Sequence, residues 1–195
     1  MKVLSISQLS YLHCGPINLQ INAKQCVGVS GASGTGKSRL LRAIADLDDH
    51  LGEVCLDEVK QKEVRAHEWR RKVALLSAET HWWFDSVGEH FKQLSSEKLK
   101  RLGLPDDISS WAVSRLSSGE KQRLGLLRLL ENHPDVLLLD EPTANLDKNN
   151  VNLFEAFVND YLSNNSACAI WISHDVDQLK RVSTKQYQIE NGALV

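Results

Sequence analysis

The sequence predicts an α/β domain built on a mostly parallel sheet, with short antiparallel elements at both ends. Three observations carry that reading. Val73 to Leu76, Val136 to Leu139 and Ala167 to Ile172 are short continuous apolar runs, as expected of strands buried on both faces of a parallel sheet. Cys26-Val27-Gly28-Val29-Ser30 is another, and a glycine-rich loop leads from it into an amphipathic segment. Outside these, Leu4/Ile6 and Ile17/Leu19/Ile21 alternate with polar residues like half-buried strands. With 195 residues, 42% of them hydrophobic, the chain has material for one globular domain with its own core.

Taken in order, Met1 to Ser7 alternates as a strand and contains no signal-peptide hydrophobic region. Gly15-Pro16 marks the turn into the strand around Ile17 to Ile21. Ser38 to Leu47 is predicted helical, with Leu40, Leu41, Ile44 and Leu47 on one stripe, and Val54 to Leu56 continues the antiparallel pattern. Trp82 to Trp111 is more polar and helix-prone over Ser95 to Leu102, and reads as a small helical lobe inserted into the sheet domain. A helix from about Lys148 to Leu162 carries Phe154, Phe157, Val158 and Tyr161 on one side. Asn191-Gly192 signals a type I′ hairpin between Ile189 and Leu194.

Composition narrows the class. A net charge of −2 offers no electrostatic case for nucleic acid. Cys14, Cys26, Cys55 and Cys168 form no C-x-x-C pair, and Cys26 and Cys168 sit in apolar runs as reduced core residues. No apolar run approaches the ~18 residues that span a bilayer, so any membrane role comes through a partner.

Gly31-Ala32-Ser33-Gly34-Thr35-Gly36-Lys37-Ser38 fits G-x-x-x-x-G-K-[ST], the phosphate-cradling P-loop. Chance yields it in roughly one chain in a hundred of this length, and the strand before and helix after reduce that further. Glycines let successive backbone N–H groups point at phosphates, and the helix N-terminus adds its positive dipole end. Lys37 would reach the β- and γ-phosphates, and the Ser38 hydroxyl would ligate Mg²⁺. Val136-Leu137-Leu138-Leu139-Asp140-Glu141 is a buried strand ending in two carboxylates, at the end where parallel sheets meet ligands. Asp140 suits an Mg²⁺ contact, and Glu141 can take a proton from an attacking water.

Leu116-Ser117-Ser118-Gly119-Glu120-Lys121-Gln122-Arg123 is a helix start, with Ser117 as cap and Glu120 completing a capping box. It resembles the LSGGQ/E-x-Q-R signature of ATP-binding cassette (ABC) proteins. Pro142-Thr143-Ala144-Asn145-Leu146-Asp147 resembles that family's D-loop, and His174 in Ile172-Ser173-His174-Asp175 its switch histidine. Tyr11 matches the aromatic that stacks on adenine, and Gly52 to Asp57 a hairpin of the β-subdomain. The similarity covers nearly the whole chain, with its motifs in the family's order.

The resemblance implies one ABC ATPase domain over residues 1–195, with a helical subdomain at about 82–130 inserted in a mostly parallel core that carries an antiparallel β-subdomain. It implies ATP and Mg²⁺ as cofactors, with Lys37, Glu141 and His174 acting in hydrolysis. Ser117, Ser118, Gly119, Glu120 and Asp147 would complete a site on a second cassette, with identical chains pairing. Separate membrane-spanning permease chains would hold the pair at the cytoplasmic face of the membrane, and no direct nucleic-acid contact is expected. His81-Trp82-Trp83-Phe84 would border the groove that receives the permease, with Trp82 or Trp83 exposed in the isolated chain. The alternatives are a soluble ABC ATPase acting on nucleic-acid or protein complexes, and a P-loop kinase or GTPase, which leaves Leu116 to Arg123 unexplained.

Three departures stand out. Ser118 replaces the signature's first glycine, and Lys24-Gln25 stands where a glycine turn is usual. In place of the glutamine after the strand Val73 to Leu76 the chain has Ser77-Ala78-Glu79. Ala78 or Glu79 takes that position, according to where one residue of slack falls. Glu79 is the favoured choice, and would bring a third carboxylate to the Mg²⁺ of Asp140 and Glu141.

Overall fold

The computed structural model describes residues 3–195, so Met1 and Lys2 of the alternating N-terminal run lie outside the described residues. The strands are β1 (Val3–Tyr11), β2 (Cys14–Asn22), β3 (Cys26–Ser30), β4 (Leu51–Leu56), β5 (Val59–Lys60), β6 (Val73–Leu76), β7 (Val136–Asp140), β8 (Cys168–Ile172), β9 (Lys185–Glu190) and β10 (Ala193–Leu194). The helices are α1 (Lys37–Ile44), α2 (Ala66–Lys72), α3 (Ser96–Arg101), α4 (Ser118–Leu130), α5 (Lys148–Asn165) and α6 (Val176–Val182). Two sheets form. One is antiparallel, in the order β2-β1-β4-β5. The other runs β10-β9-β3-β8-β7-β6, parallel from β9 to β6 with β10 antiparallel at its edge.

The parallel sheet is buried on both faces, and its strands divide their side chains between two cores. Val136 and Leu138 of β7 join Ile170 and Ile172 of β8, all of α1's apolar stripe and the antiparallel sheet. Leu137, Leu139, Ala169 and Trp171 point the other way, into a core shared with α4, α5, α6 and the lobe. This is the period-2 alternation of a strand with apolar partners on each side. Cys26 and Cys168 are buried free thiols, as expected.

The structure moves several expected boundaries. Tyr11 pairs with Cys14, so Leu12-His13 is the first hairpin's turn, and Gly15-Pro16 lies inside β2. There the register of β1 slips, and a Cβ on Gly15 would fall 2.4 Å from Leu9 O, so only glycine permits the approach. Proline is tolerated because β2 is an edge strand. Helix α1 ends at Ile44, leaving Leu47 outside it and 41% exposed. Its last carbonyls are capped from elsewhere: Gln61 Nε2 donates to Ala43 O (3.0 Å) and Ile44 O (3.2 Å), and Trp69 Nε1 to Ile44 O (2.9 Å).

Between Trp82 and Ser117 the chain forms α3 and three short 3₁₀ turns, at Gly88–His90, Ile108–Ser110 and Val113–Arg115. Helix α5 runs three residues beyond the expected Leu162, and Asn191 (φ 49°) with Gly192 (φ 81°) makes the last hairpin. Lys24 holds φ 67° in the turn before β3.

Helix α4 lies so close to the loop after β6 that a Cβ on Gly125 would sit 2.6 Å from Thr80 Cγ2 and 3.3 Å from Leu76 Cδ1. Alanine gains about 1 kcal/mol of helix propensity, whereas overpacking costs about 1–3 kcal/mol. Gly125→Ala is expected to lower stability by about 1 kcal/mol in urea unfolding, and Thr80→Ser, which removes the clashing methyl, to recover it in the double variant. A stabilised Gly125→Ala chain would show that the packing there is loose.

Candidate active site

The parallel register brings three chain segments to one level. Val29 of β3 and Asp140 of β7 both pair with Ile172 of β8, so the three strands end side by side, at Ser30, Asp140 and Ile172. The loop Gly31 to Gly36 leaves β3 and enters α1 through Gly36 at φ 97°. A Cβ on Gly36 would lie 3.0 Å from Cys14 Sγ and 3.4 Å from the Tyr11 ring, so both angle and space call for glycine. Thr35 closes a turn onto Ala32 O through its N–H (3.4 Å) and its hydroxyl (2.9 Å). Lys37 is 6% exposed, and its Nζ donates to Gly31 O and Ala32 O, both at 2.9 Å. Ala32, Ser33, Gly34 and Ser38 are exposed.

Glu141 follows β7 in a left-handed conformation, φ 46°. For a residue with a Cβ that costs about 1–2 kcal/mol. Its N–H donates to Ile172 O (3.1 Å), and its carbonyl accepts from Ala144 N (3.2 Å). The twist turns its carboxylate toward His174, with Oε1 3.4 Å from Nε2. Glu141 Oε1 is buried and makes no hydrogen bond among the described residues. Burial pushes the Glu141 carboxyl above its ordinary value, outweighing the opposing pull of His174 and then of Lys37, while Asp140 adds to the rise. Lys37, Asp140, Glu141 and His174 therefore share one electrostatic neighbourhood, built from the ends of β3, β7 and β8.

A second group forms apart from it. Ser117 caps α4: its hydroxyl accepts from Glu120 N (3.2 Å), and Glu120 Oε2 accepts from Ser117 N (2.9 Å) and Ser117 Oγ (2.8 Å). Gly119 is buried beside the loop after β7, where a Cβ would meet Asn145 O and Leu146 Cδ2 at 3.0 Å. Ser118 is exposed at the first turn. Asp147 caps α5, accepting from Asn149 N (3.0 Å) and Asn150 N (3.1 Å), and bonds from Asn150 hold its carboxyl below the usual range. Among the described residues no hydrogen bond joins Gly31–Ser38 to Ser117–Glu120.

Glu79 does not join Asp140 and Glu141. It is exposed on the loop after β6, in a shallow cleft of about 170 Å³ with Trp83 and Arg128. Among the described residues no three His, Cys, Asp or Glu side chains converge as a metal cluster. Tyr11 is 4% exposed, with its ring against Gly36 rather than on the surface and burial raising its phenol. Little of it is open to a base, although it edges a cleft with Leu12, which is 70% exposed, and Arg39. Tyrosine is a good strand residue, and here it packs.

Two signature residues have tasks that sequence reasoning missed. Gln122 Nε2 donates to Ser77 O (3.1 Å), tying α4 to the loop after β6. Arg123, 7% exposed, donates to Leu102 O (2.7 Å), Gly103 O (2.9 Å) and Asn150 Oδ1 (2.8 Å), pinning the lobe to α5. Polar residues on a helix face that also carries Leu124, Leu126 and Leu127 were the available signal.

The aromatic segment divides. Trp82 packs on the second core, whereas Trp83 (64%) and Phe84 (46%) are exposed. The Arg128 guanidinium stacks on both indoles, at 4.5 and 4.6 Å. Buried His90 accepts from Trp83 N and Phe84 N at Nε2, both 3.0 Å, so its Nδ1 carries the proton donated to Ser86 O.

Known proteins resemble this chain in sequence and in fold. The family model described as ABC transporter matches residues 14–144. The probable iron export ATP-binding protein FetA of Escherichia coli (strain K12) is 31% identical over 176 residues, 84% of this chain and 78% of that protein. The methionine import ATP-binding protein MetN 1 of Pectobacterium atrosepticum is 30% identical over 92% of this chain, which spans only 58% of that protein. In fold, the chain resembles the ATP-binding cassette MJ0796, solved as a dimer in a post-hydrolysis state bound to ADP and Pi. The TM-score is 0.83 at 20% identity, over 98% of this chain and 96% of that one.

The raised Glu141 value has a stability consequence. The native chain holds that proton more tightly than the unfolded chain, so native stability is lost as pH rises through 4.5 and beyond. Glu141→Gln removes this cost. Its melting temperature is expected to exceed the wild type's at neutral pH, with the gap closing as pH falls below 4.5. A gap that calorimetry finds independent of pH would mean the carboxyl is not destabilised.

Proposed function

Because the chain belongs to the ABC transporter family, whose ATP-binding domains hydrolyse ATP, we propose that it energises a membrane transporter through ATP-driven pairing of two cassettes. The observation that supports this best is the gathering of Lys37, Asp140, Glu141 and His174 at one end of the parallel sheet. We further propose that residues 1–195 make one such domain, with the helical part at about 82–130 inserted in it.

The residues present fit a nucleotide and its metal. The N–H groups of Gly31, Ala32, Ser33, Gly34, Thr35 and Gly36 would cradle the phosphates, with Lys37 balancing the β/γ charge. Lys37 Nζ now rests on two main-chain carbonyls, which a phosphate can replace. Mg²⁺ would be held by Ser38 and Asp140, where it would neutralise phosphate charge. Glu141 Oε1, which makes no hydrogen bond among the described residues, would accept a proton from water, and its raised pKa would bring it nearer the operating pH of a general base. His174, across from it, would steady the γ-phosphate. Ser117, Ser118, Gly119, Glu120 and Asp147 lie together away from the P-loop, which suits a site completed by a second copy of the chain.

Among the described residues no helix is long and apolar enough to cross a membrane. We propose that the chain is cytoplasmic and reaches the membrane through separate permease subunits. Trp83 and Phe84 form the docking patch, since exposed aromatics held rigid by Arg128 and His90 are apt interface anchors.

Glu141→Gln keeps shape and hydrogen bonding but removes the base. ATPase turnover is expected to fall about 10²–10⁴-fold while ATP still binds, and the variant should elute as a dimer with ATP and as a monomer without it. Lys37→Ala should lose both turnover and dimer. A Glu141→Gln chain that binds ATP yet stays monomeric would point to a different partner cassette.

Trp83→Ala should leave basal ATPase near the wild-type rate and release the chain from sedimented membranes that retain the wild type. Unchanged sedimentation would remove Trp83 from the interface.

A further inference from the structure

Behind the strand ends lies a closed group of buried polar side chains. Gln178 of α6 is 2% exposed and fills its hydrogen-bonding positions. Its Nε2 donates to Thr143 Oγ1 (2.8 Å) and Glu155 Oε1 (2.9 Å). Its Oε1 accepts from the Thr143 hydroxyl (3.1 Å) and from Trp171 Nε1 (3.3 Å). Arg181 balances the Glu155 carboxylate through two bonds, 2.8 Å to Oε1 and 3.2 Å to Oε2. Apolar side chains of similar volume would fill this space without the cost of desolvating an amide and a carboxylate. What the network adds is a fixed geometry, and its members say of what.

Thr143 stands two residues after Glu141, and Gln178 four residues after His174. Trp171 precedes Ile172, whose carbonyl receives the Glu141 N–H. Glu155 belongs to α5, the helix capped by Asp147. One amide thus touches the turn carrying Glu141, the strand leading to His174 and the helix behind Asp147. Glu141 itself is strained at φ 46°, a conformation that persists only where neighbours over-determine it. Two backbone bonds hold it, Glu141 N to Ile172 O and Ala144 N to Glu141 O. Thr143 is itself held twice, by Leu146 N on its carbonyl (3.1 Å) and by the paired side-chain contact with Gln178.

We infer that Gln178 is a positioning residue for hydrolysis, fixing through Thr143 the turn that holds the Glu141 carboxylate 3.4 Å from His174. The inference rests on the reading of Glu141 as the base. Without the Thr143–Gln178 contact the turn relaxes toward right-handed angles, and the carboxylate swings away from the water it should deprotonate. ATP binding by the P-loop does not pass through this network and is left as it was.

The test is steady-state ATPase of the purified chain with Thr143→Val, which removes the hydroxyl at nearly constant volume. Turnover is expected to fall about 10–100-fold while KM for ATP stays within about twofold, as a displaced catalytic group produces. Thr143→Ser should restore turnover, and Gln178→Leu should reproduce the loss. If Gln178→Leu does not fold, the Thr143 pair still decides. Turnover of Thr143→Val within about twofold of wild type, or a loss that Thr143→Ser fails to rescue, overturns the inference. Glu141→Gln in parallel separates the two readings. If it hydrolyses ATP at the wild-type rate, the base assignment fails; if it is inactive while Thr143→Val is fully active, only the positioning role fails.

Discussion

Burial of β7 and β8 on both faces is the constraint from which the rest of the molecule follows. With apolar partners above and below, these strands can carry polar side chains only where they leave the sheet. Parallel pairing then sets where that is: Val29, Ile172 and Asp140 lie in one row, Glu141 and His174 follow within two residues of it, and the loop after β3 leads to Lys37. Lys37, Glu141 and His174, far apart in sequence, become neighbours because three strands end together.

The site, like several turns of the chain, holds backbone away from its preferred angles. Glu141 is left-handed, and Gly36 admits the loop to α1 only because it has no side chain to meet Cys14 and Tyr11. Such strain is stable when the surroundings leave no alternative. Here they do so through main-chain bonds to β8 and a buried amide network behind it. A carboxylate with an unpartnered buried oxygen is a costly object, and its neighbours Lys37 and His174 offset only part of that cost.

Helix α4 connects this centre to the surface. Its first turn presents the Ser117–Glu120 box, Gly119 rests against the Asn145 backbone, and Gly125 presses on Thr80. Gln122 reaches the loop after β6, and Arg123 reaches both lobe and α5. Arg128 ends the series by stacking on Trp82 and Trp83. The exposed aromatic patch and the signature turn therefore lie toward the two ends of one helix.

What the sequence determined by itself was whatever depends on neighbours along the chain. The apolar runs of β3, β6, β7 and β8, the capping box at Ser117, the α5 stripe and the Asn191-Gly192 turn rest on local periodicity and local hydrogen bonding, and all are found where they were expected. The P-loop and the Asp140-Glu141 pair were legible for the same reason, as contiguous residues at a strand end. Distant partners decided the remainder. Gln61 and Trp69 end α1 before Leu47, the edge position of β2 lets Gly15-Pro16 lie within a strand, and Gly36 covers the Tyr11 ring. Glu79 lies exposed on the loop after β6, and Gln178 of α6 joins Thr143, placements that no local pattern reports. A residue's type states which bonds it can make. Which partner comes within 3 Å is set by chain segments tens of residues away, and only their packing against one another fixes it.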